Sequence, residues 1–130
     1  MTEQLTAWIA ASGFEGIQPA HSAAIQPLWE MPEGARITEL ARASRITKQS
    51  MSALVSDLEA AGYVERVGDP DDARAIRVRL TPRGRAYGRA VRGFSRKIEA
   101  AWAERIGAQR IEELRATLEL LRTSAFLARE

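Results

Sequence analysis

Cysteine is absent from this 130-residue chain, which excludes disulfides, thiolate metal sites and thiol redox sensing within it. Histidine occurs once, at His21, and a metal site needs several partners, so no metal and no cofactor is expected. No run approaches the ~20 apolar residues that a membrane span requires, and no membrane partner is expected. Residues 1–11 carry Glu3 and no basic residue, unlike the charged start of a signal peptide, so the expected compartment is the cytoplasm. No nucleophile–base pair, carboxylate dyad or phosphate-cradling glycine loop is present, which argues against an enzyme.

A further absence is local. Between Ala73 and Ile98 there is no acidic residue but there are nine basic ones: Arg74, Arg77, Arg79, Arg83, Arg85, Arg89, Arg92, Arg96 and Lys97. The rest of the chain holds ten Lys or Arg against seventeen Asp or Glu, so the modest net charge of +2 hides a strong asymmetry. Such a stretch either attracts a polyanion or forms a solvated, arginine-rich helix face.

The apolar pattern predicts a mainly α fold of the α+β class. Leu5, Trp8 and Ile9 follow helical spacing up to Gly13. A second helix is expected over Ala20 to Glu30, with Ala24, Ile25, Leu28 and Trp29 inward and a kink or early end at Pro27. Ile37 to Ala43 reads as a short helix, Ser44-Arg45-Ile46 as a tight connection, and Thr47 as the N-cap of a helix to about Ala61 with Met51, Leu54, Val55 and Leu58 buried. Beyond Gly62 the period becomes alternating. Strands are expected at Tyr63–Val67 and Ile76–Leu80, with Val and Ile inward and Arg outward, joined by a long polar tip. Thr81-Pro82 starts a long helix to about Ile106; Gly107 interrupts, and Gln109 to about Ala128 carries a seam of Ile111, Leu114, Leu118, Leu121 and Ala125.

Two helices joined by a three-residue turn can set the second into the major groove of DNA. With the apolar stripe turned inward, Lys48, Gln49, Ser52 and Ser56 face outward, where amide, hydroxyl and ammonium groups suit base edges and phosphates. Arg74, on the hairpin tip, suits a narrow minor groove, with Asp72 able to orient its guanidinium by a charge-assisted hydrogen bond. Thr38, Arg45, Arg77 and Arg79 are candidate phosphate contacts.

The segments Thr47-Lys48-Gln49-Ser50, Asp57 to Arg66, Asp69 to Arg74 and Leu80 to Gly84 closely resemble the MarR family of winged helix-turn-helix regulators. The family's wing pattern is met by Asp72, Arg74, Leu80 and Thr81, and the resemblance is densest from about Ile37 to Gly84. It implies double-stranded DNA as partner, an obligate homodimer, a recognition helix in the major groove, wing arginines in the minor groove, and often a small-molecule effector pocket. The chain is then one domain. Residues of about 20–82 form the DNA-binding part, and about 1–16 with 83–130 supply the dimerisation helices. Thr47 and Ser50 join the candidate DNA-binding set through the motif, while Trp8, His21 and Trp29 form a candidate effector pocket. The short segment before the second helix and Pro27 depart from the family pattern and bear on dimer packing. From a different class, a dimeric effector-binding module that has lost DNA binding stays open at this point.

Overall fold

The computed structural model describes residues 2–123. The elements run α1 (Thr2–Ala11), a 3-10 turn (Pro19–His21), α2 (Ser22–Trp29), α3 (Ile37–Ser44), α4 (Lys48–Ala60), β1 (Val64–Asp69), β2 (Asp72–Leu80), α5 (Pro82–Ile106) and α6 (Ala108–Thr123). The expected helical order with one hairpin is what forms. The seam residue Ala125 and the predicted last turns of the final helix lie outside the described residues. Among the described residues no helix is long and apolar enough to cross a membrane, and no group of three or more metal-ligating side chains gathers.

The chain divides into two compact units, Met1–Ala90 and Val91–Glu130. The first unit holds Leu28, Leu40, Met51, Val55, Leu58, Tyr63, Val64 and Val78 fully buried, each such aliphatic contributing roughly 1.5–3 kcal/mol. These residues come from α2, α3, α4 and both strands, so one core fixes the helix pair against the hairpin. The opening turns of α5 belong to it too. A Cβ on Gly84 would lie 2.1 Å from the Tyr63 carbonyl oxygen, and one on Gly88 would lie 2.5 Å from Trp29 Cε3. Only glycine lets the helix come that close.

The helix ends follow local chemistry. The Thr47 hydroxyl accepts the Ser50 backbone N–H at 3.0 Å, capping α4 as its sequence predicts. Thr81 does the same for α5, accepting from Gly84 N–H at 3.1 Å. At the far end of α4, Tyr63 N–H donates to Leu58 O at 2.9 Å and Gly62 N–H to Glu59 O at 3.0 Å, with Gly62 at φ +86°. Pro27 lies inside α2, which runs on to Trp29 with Glu30 as its C-cap, so the early end expected there does not occur. Pro27 cannot donate to the carbonyl of Ala23, and the Ser44 hydroxyl on α3 does so instead. The missing donor of one helix is supplied by the next.

The hairpin departs from its sequence pattern in two ways. Its strands run almost to the tip, leaving Pro70-Asp71 as the connection rather than a long loop. Gly68 pairs with Ile76 but Asp69 pairs with Asp72, so residues 73–75 form a bulge in β2. Ile76 is also not inward: it is 55% exposed, because its cross-strand partner is Gly68 and the wing has by then left the core. Leu54 and Trp29, expected inside, are half-buried.

In the second unit, Ile111 is buried, but Trp102, Ile106, Leu114, Leu118 and Leu121 are 43–57% exposed. Glu99, Trp102, Ile111, Leu114 and Leu118 line a groove of about 250 Å3. Among the described residues, Leu114 and Leu118 of the predicted seam are exposed on α6 while Ile111 is buried.

If Ser44 replaces the donor that Pro27 lacks, Ser44→Ala should destabilise the protein by about 1–2 kcal/mol in a chemical denaturation series. In a Pro27→Ala background, where residue 27 again donates, the same change should cost less than half as much. Equal losses in both backgrounds would separate the two residues.

Candidate nucleic-acid interface

The first turn of α4 stands at the surface. Thr47, Lys48, Gln49 and Ser50 are all exposed, because Met51, Val55 and Leu58 are wholly enclosed and set the roll of the helix. Thr47 also donates from its hydroxyl to Ser50 Oγ at 2.9 Å, so this pair is engaged with itself while Lys48 and Gln49 carry the unengaged polar ends of the turn. Ser52 is half-buried. Ser56 is exposed but accepts from Arg66 Nη2 at 3.4 Å, and Arg66 Nε reaches Glu59 at 3.3 Å, which ties the middle of α4 to β1.

On the preceding helix, Thr38 is exposed in the first turn of α3. Arg45 follows α3 with φ +55°, the sole non-glycine with positive φ among the described residues. Ile46 N–H donates to Ala41 O at 3.1 Å and Arg45 N–H to Arg42 O at 3.3 Å. This is the same closure that Gly62 gives α4, made here with a residue for which the left-handed region is strained.

The wing arginines separate into three environments. Arg74 is exposed on the bulge. Asp72 does not orient its guanidinium as expected; its carboxylate accepts the Arg74 backbone N–H at 3.0 Å and shapes the bulge instead. Arg79 pairs with its cross-strand partner Glu65 at 2.6 Å, both partly exposed. Such a surface pair is worth about 0–1 kcal/mol and exchanges readily for a phosphate. Arg77 differs. Its side chain is 21% exposed and its Nε lies 3.0 Å from Asp69 Oδ2. That Nε is enclosed against the Asp69 carboxylate. In the free protein Arg77 is thus engaged internally with Asp69 rather than free at the surface.

Asp69 was unforeseen as a site residue. It is 5% exposed. Oδ1 accepts the Asp71 backbone N–H at 2.8 Å, while Oδ2 receives Arg77 and, at 2.9 Å, Arg36. The Asp71 N–H, then Arg77 and Arg36, hold its pKa down to about 2 against the opposing effect of burial. A depressed carboxylate pKa means that the ionised form stabilises fully above pH 3.8 and loses that effect as pH falls through about 2, so this centre does not titrate near neutrality. Arg36 precedes α3, and the neighbouring Ala35 pairs with Val78 through N–H···O bonds of 2.9 and 2.8 Å. The start of α3 and the wing are thereby joined by backbone and by charge. The Asx-turn residue Asp69 was legible as a turn signal, but its partner Arg36 lies 33 positions away.

Of the candidate effector residues, His21 is buried and lines a groove of about 670 Å3 with Gln18, Leu54, Asp57 and Ala61. Its Nδ1 accepts the Gln18 N–H at 2.8 Å, which leaves Nε2–H facing Asp57 Oδ2 at 3.4 Å. Trp29 instead lies against Gly88, and Trp8 is half-buried on α1; neither lines that groove.

A family model described as MarR family matches residues 15–75. The HTH-type transcriptional repressor Rv2887 of Mycobacterium tuberculosis is 32% identical over 117 residues, covering 81% of this chain and 84% of that protein. The chain belongs to the MarR family. A crystal structure of a probable transcriptional regulator from Pseudomonas aeruginosa is similar at 28% identity and TM-score 0.69, covering 92% of this chain and 89% of that one. FabT of Streptococcus pneumoniae, solved in complex with DNA, shares the fold at TM-score 0.81 with 20% identity, over 98% and 87% of the two chains. MarR members and these relatives are transcriptional regulators with a winged helix, not enzymes.

The strained Arg45 gives a direct test. Arg45→Gly should relieve roughly 1–2 kcal/mol of left-handed strain and lose about 0.5–1 kcal/mol to the freer unfolded chain. Thermal denaturation should therefore show a variant as stable as the parent or slightly more so. A marked loss of stability would mean that the side chain itself holds the turn.

Proposed function

We propose that this MarR-family chain is a sequence-specific transcriptional repressor that binds a palindromic double-stranded DNA operator as a homodimer and is released by a small-molecule effector. The observation that carries the DNA reading is the exposed polar first turn of α4 beside a wing whose bulge presents Arg74. Lys48 and Gln49 are the base readers, with Ser52 nearby. Thr47 and Ser50 fix the turn, and Ser56 acts through Arg66. Thr38, Arg45 and Arg79 hold phosphates, supplying affinity without sequence information. The strain at Arg45 supports that role, since a guanidinium there is kept where glycine would be easier. The relative's name as a transcriptional repressor supports the direction of control. The cytoplasm is the compartment this activity requires.

Replacing Gln49 with Ala should relax discrimination at particular operator positions, since a bidentate base contact is worth about 1–3 kcal/mol against the wrong base. Arg74→Ala should weaken binding across many sequences, most on sites with a narrow flanking minor groove. Binding of both variants to a panel of single-base operator mutants checks this. An unchanged specificity profile for Gln49→Ala removes it as a base reader, and parent-like binding by Arg74→Ala removes the wing from the interface.

The homodimer rests on the open apolar side of α6, where Leu114 and Leu118 are 50% and 57% exposed. Sedimentation equilibrium at micromolar concentration should give a dimer for the parent, and Leu118→Glu should shift it toward monomer. A monomeric parent would overturn the palindrome. Effector release is supported by the groove at His21, because Leu54, Asp57 and Ala60 of α4 line it.

A further inference from the structure

We propose that Asp69, although acidic and buried, is a positioning residue for DNA binding: its carboxylate clamps Arg36 at the start of α3 to Arg77 on β2, so that the wing and the helix pair meet DNA as one preset body. This rests on the reading of Arg74 as a wing contact. The two oxygens divide the work. Oδ1 holds the Asp71 N–H and closes the turn from which the Arg74 bulge springs. Oδ2 takes Arg36 at 2.9 Å and Arg77 at 3.0 Å. At the outer part of the wing the apolar side chain Ile76 is 55% exposed and gives no apolar anchor, while Asp69 is buried at 5%. The clamp and the Ala35–Val78 pair therefore set the wing's direction. A bound duplex draws energy from α4 and from Arg74 at once only if their separation is already correct; ordering the wing on binding would subtract from affinity.

The sign of the effect separates this from simple electrostatics. Asp69→Asn keeps an oxygen for the Asp71 N–H but sets an amide against two guanidinium groups. If Asp69 were only a negative charge near DNA, removing it and releasing two arginines would tighten binding and steepen its salt dependence. A positioning role predicts a loss, roughly 3- to 30-fold. It further predicts that the loss shrinks toward none in an Arg74→Ala background, because the two changes remove one shared contribution.

The test uses the full chain and a duplex selected by the parent from a random pool. Dissociation constants are measured for the parent, Asp69→Asn, Arg74→Ala and the double variant at two salt concentrations, with thermal melts confirming that each is folded at the assay temperature. Weaker binding by Asp69→Asn that is not additive with Arg74→Ala supports the proposal. Tighter or unchanged binding, or strict additivity, overturns it. Parent-like binding by Arg74→Ala would overturn both this inference and the wing reading, whereas a loss there with none for Asp69→Asn overturns this inference alone. Should Asp69→Asn melt too low, Arg36→Gln decides. It leaves Arg77 on Asp69 and cuts only the arm to α3. It should weaken binding to a similar extent and show the same coupling to Arg74; additivity there would make Arg36 a direct phosphate contact and end the proposal.

Discussion

Met51, Val55 and Leu58 are wholly enclosed, and their burial fixes the roll of α4 about its own axis. A turn of that helix by one residue, about 100°, would swap a core position for a polar one and expose apolar area worth several kcal/mol. The facing core residues come from α2, α3 and both strands, so the roll is held from every inward side. What the first unit offers at its surface follows from that constraint. Lys48 and Gln49 are outward because Met51 and Val55 cannot be. The caps at Thr47 and Gly62 then fix where the helix begins and ends without deciding which way it faces.

The parts of this arrangement that were legible in the sequence are those whose causes lie within a few residues. Thr47, Gly62 and Thr81-Pro82 each mark a helix boundary through a local hydrogen bond or a backbone region open to glycine, and each boundary formed where expected. What was not legible depends on partners far along the chain. The donor for the Ala23 carbonyl comes from Ser44, 21 positions on. Arg36 and Asp69 meet across 33 positions. Alternation suggested an inward Ile76, but burial there needs a neighbour, and Gly68 supplies none. Polar composition suggested a long wing tip. Pairing of Asp69 with Asp72 instead closes the tip and pushes the surplus residues into a bulge that alternation cannot reveal.

The basic stretch shows how charge counted along a chain differs from charge presented at a surface. Of its first three arginines, Arg77 is drawn inward by a buried carboxylate, Arg79 is paired across the hairpin with Glu65, and Arg74 is exposed with only its backbone N–H engaged by Asp72. The next, Arg83, lies 4.8 Å from the centre of the Tyr63 ring and donates to its hydroxyl at 3.3 Å. Nine like charges in sequence therefore become several distinct environments. The wing is therefore not uniformly basic at its surface: Arg74 is exposed with no side-chain partner among the described residues, Arg79 is exposed but paired, and Arg77 is turned inward.

Arg45 and Gly62 end successive helices with the same pair of backbone hydrogen bonds and the same left-handed residue. At Gly62 nothing lies within 4 Å of where a Cβ would be, so glycine is used there for its backbone freedom and not for space. The identical need at residue 45 is met by arginine, at a local strain of roughly 1–2 kcal/mol. Local folding chemistry favours glycine at both positions, so it does not account for the difference between them. The difference lies in what surrounds each turn. Gly62 leads into β1, whereas Arg45 sits between the two helices, next to the exposed turn that begins at Thr47. A strained, exposed cation beside that turn is intelligible where a polyanion approaches, and the strain is then carried in the free protein so that the charge is already in place.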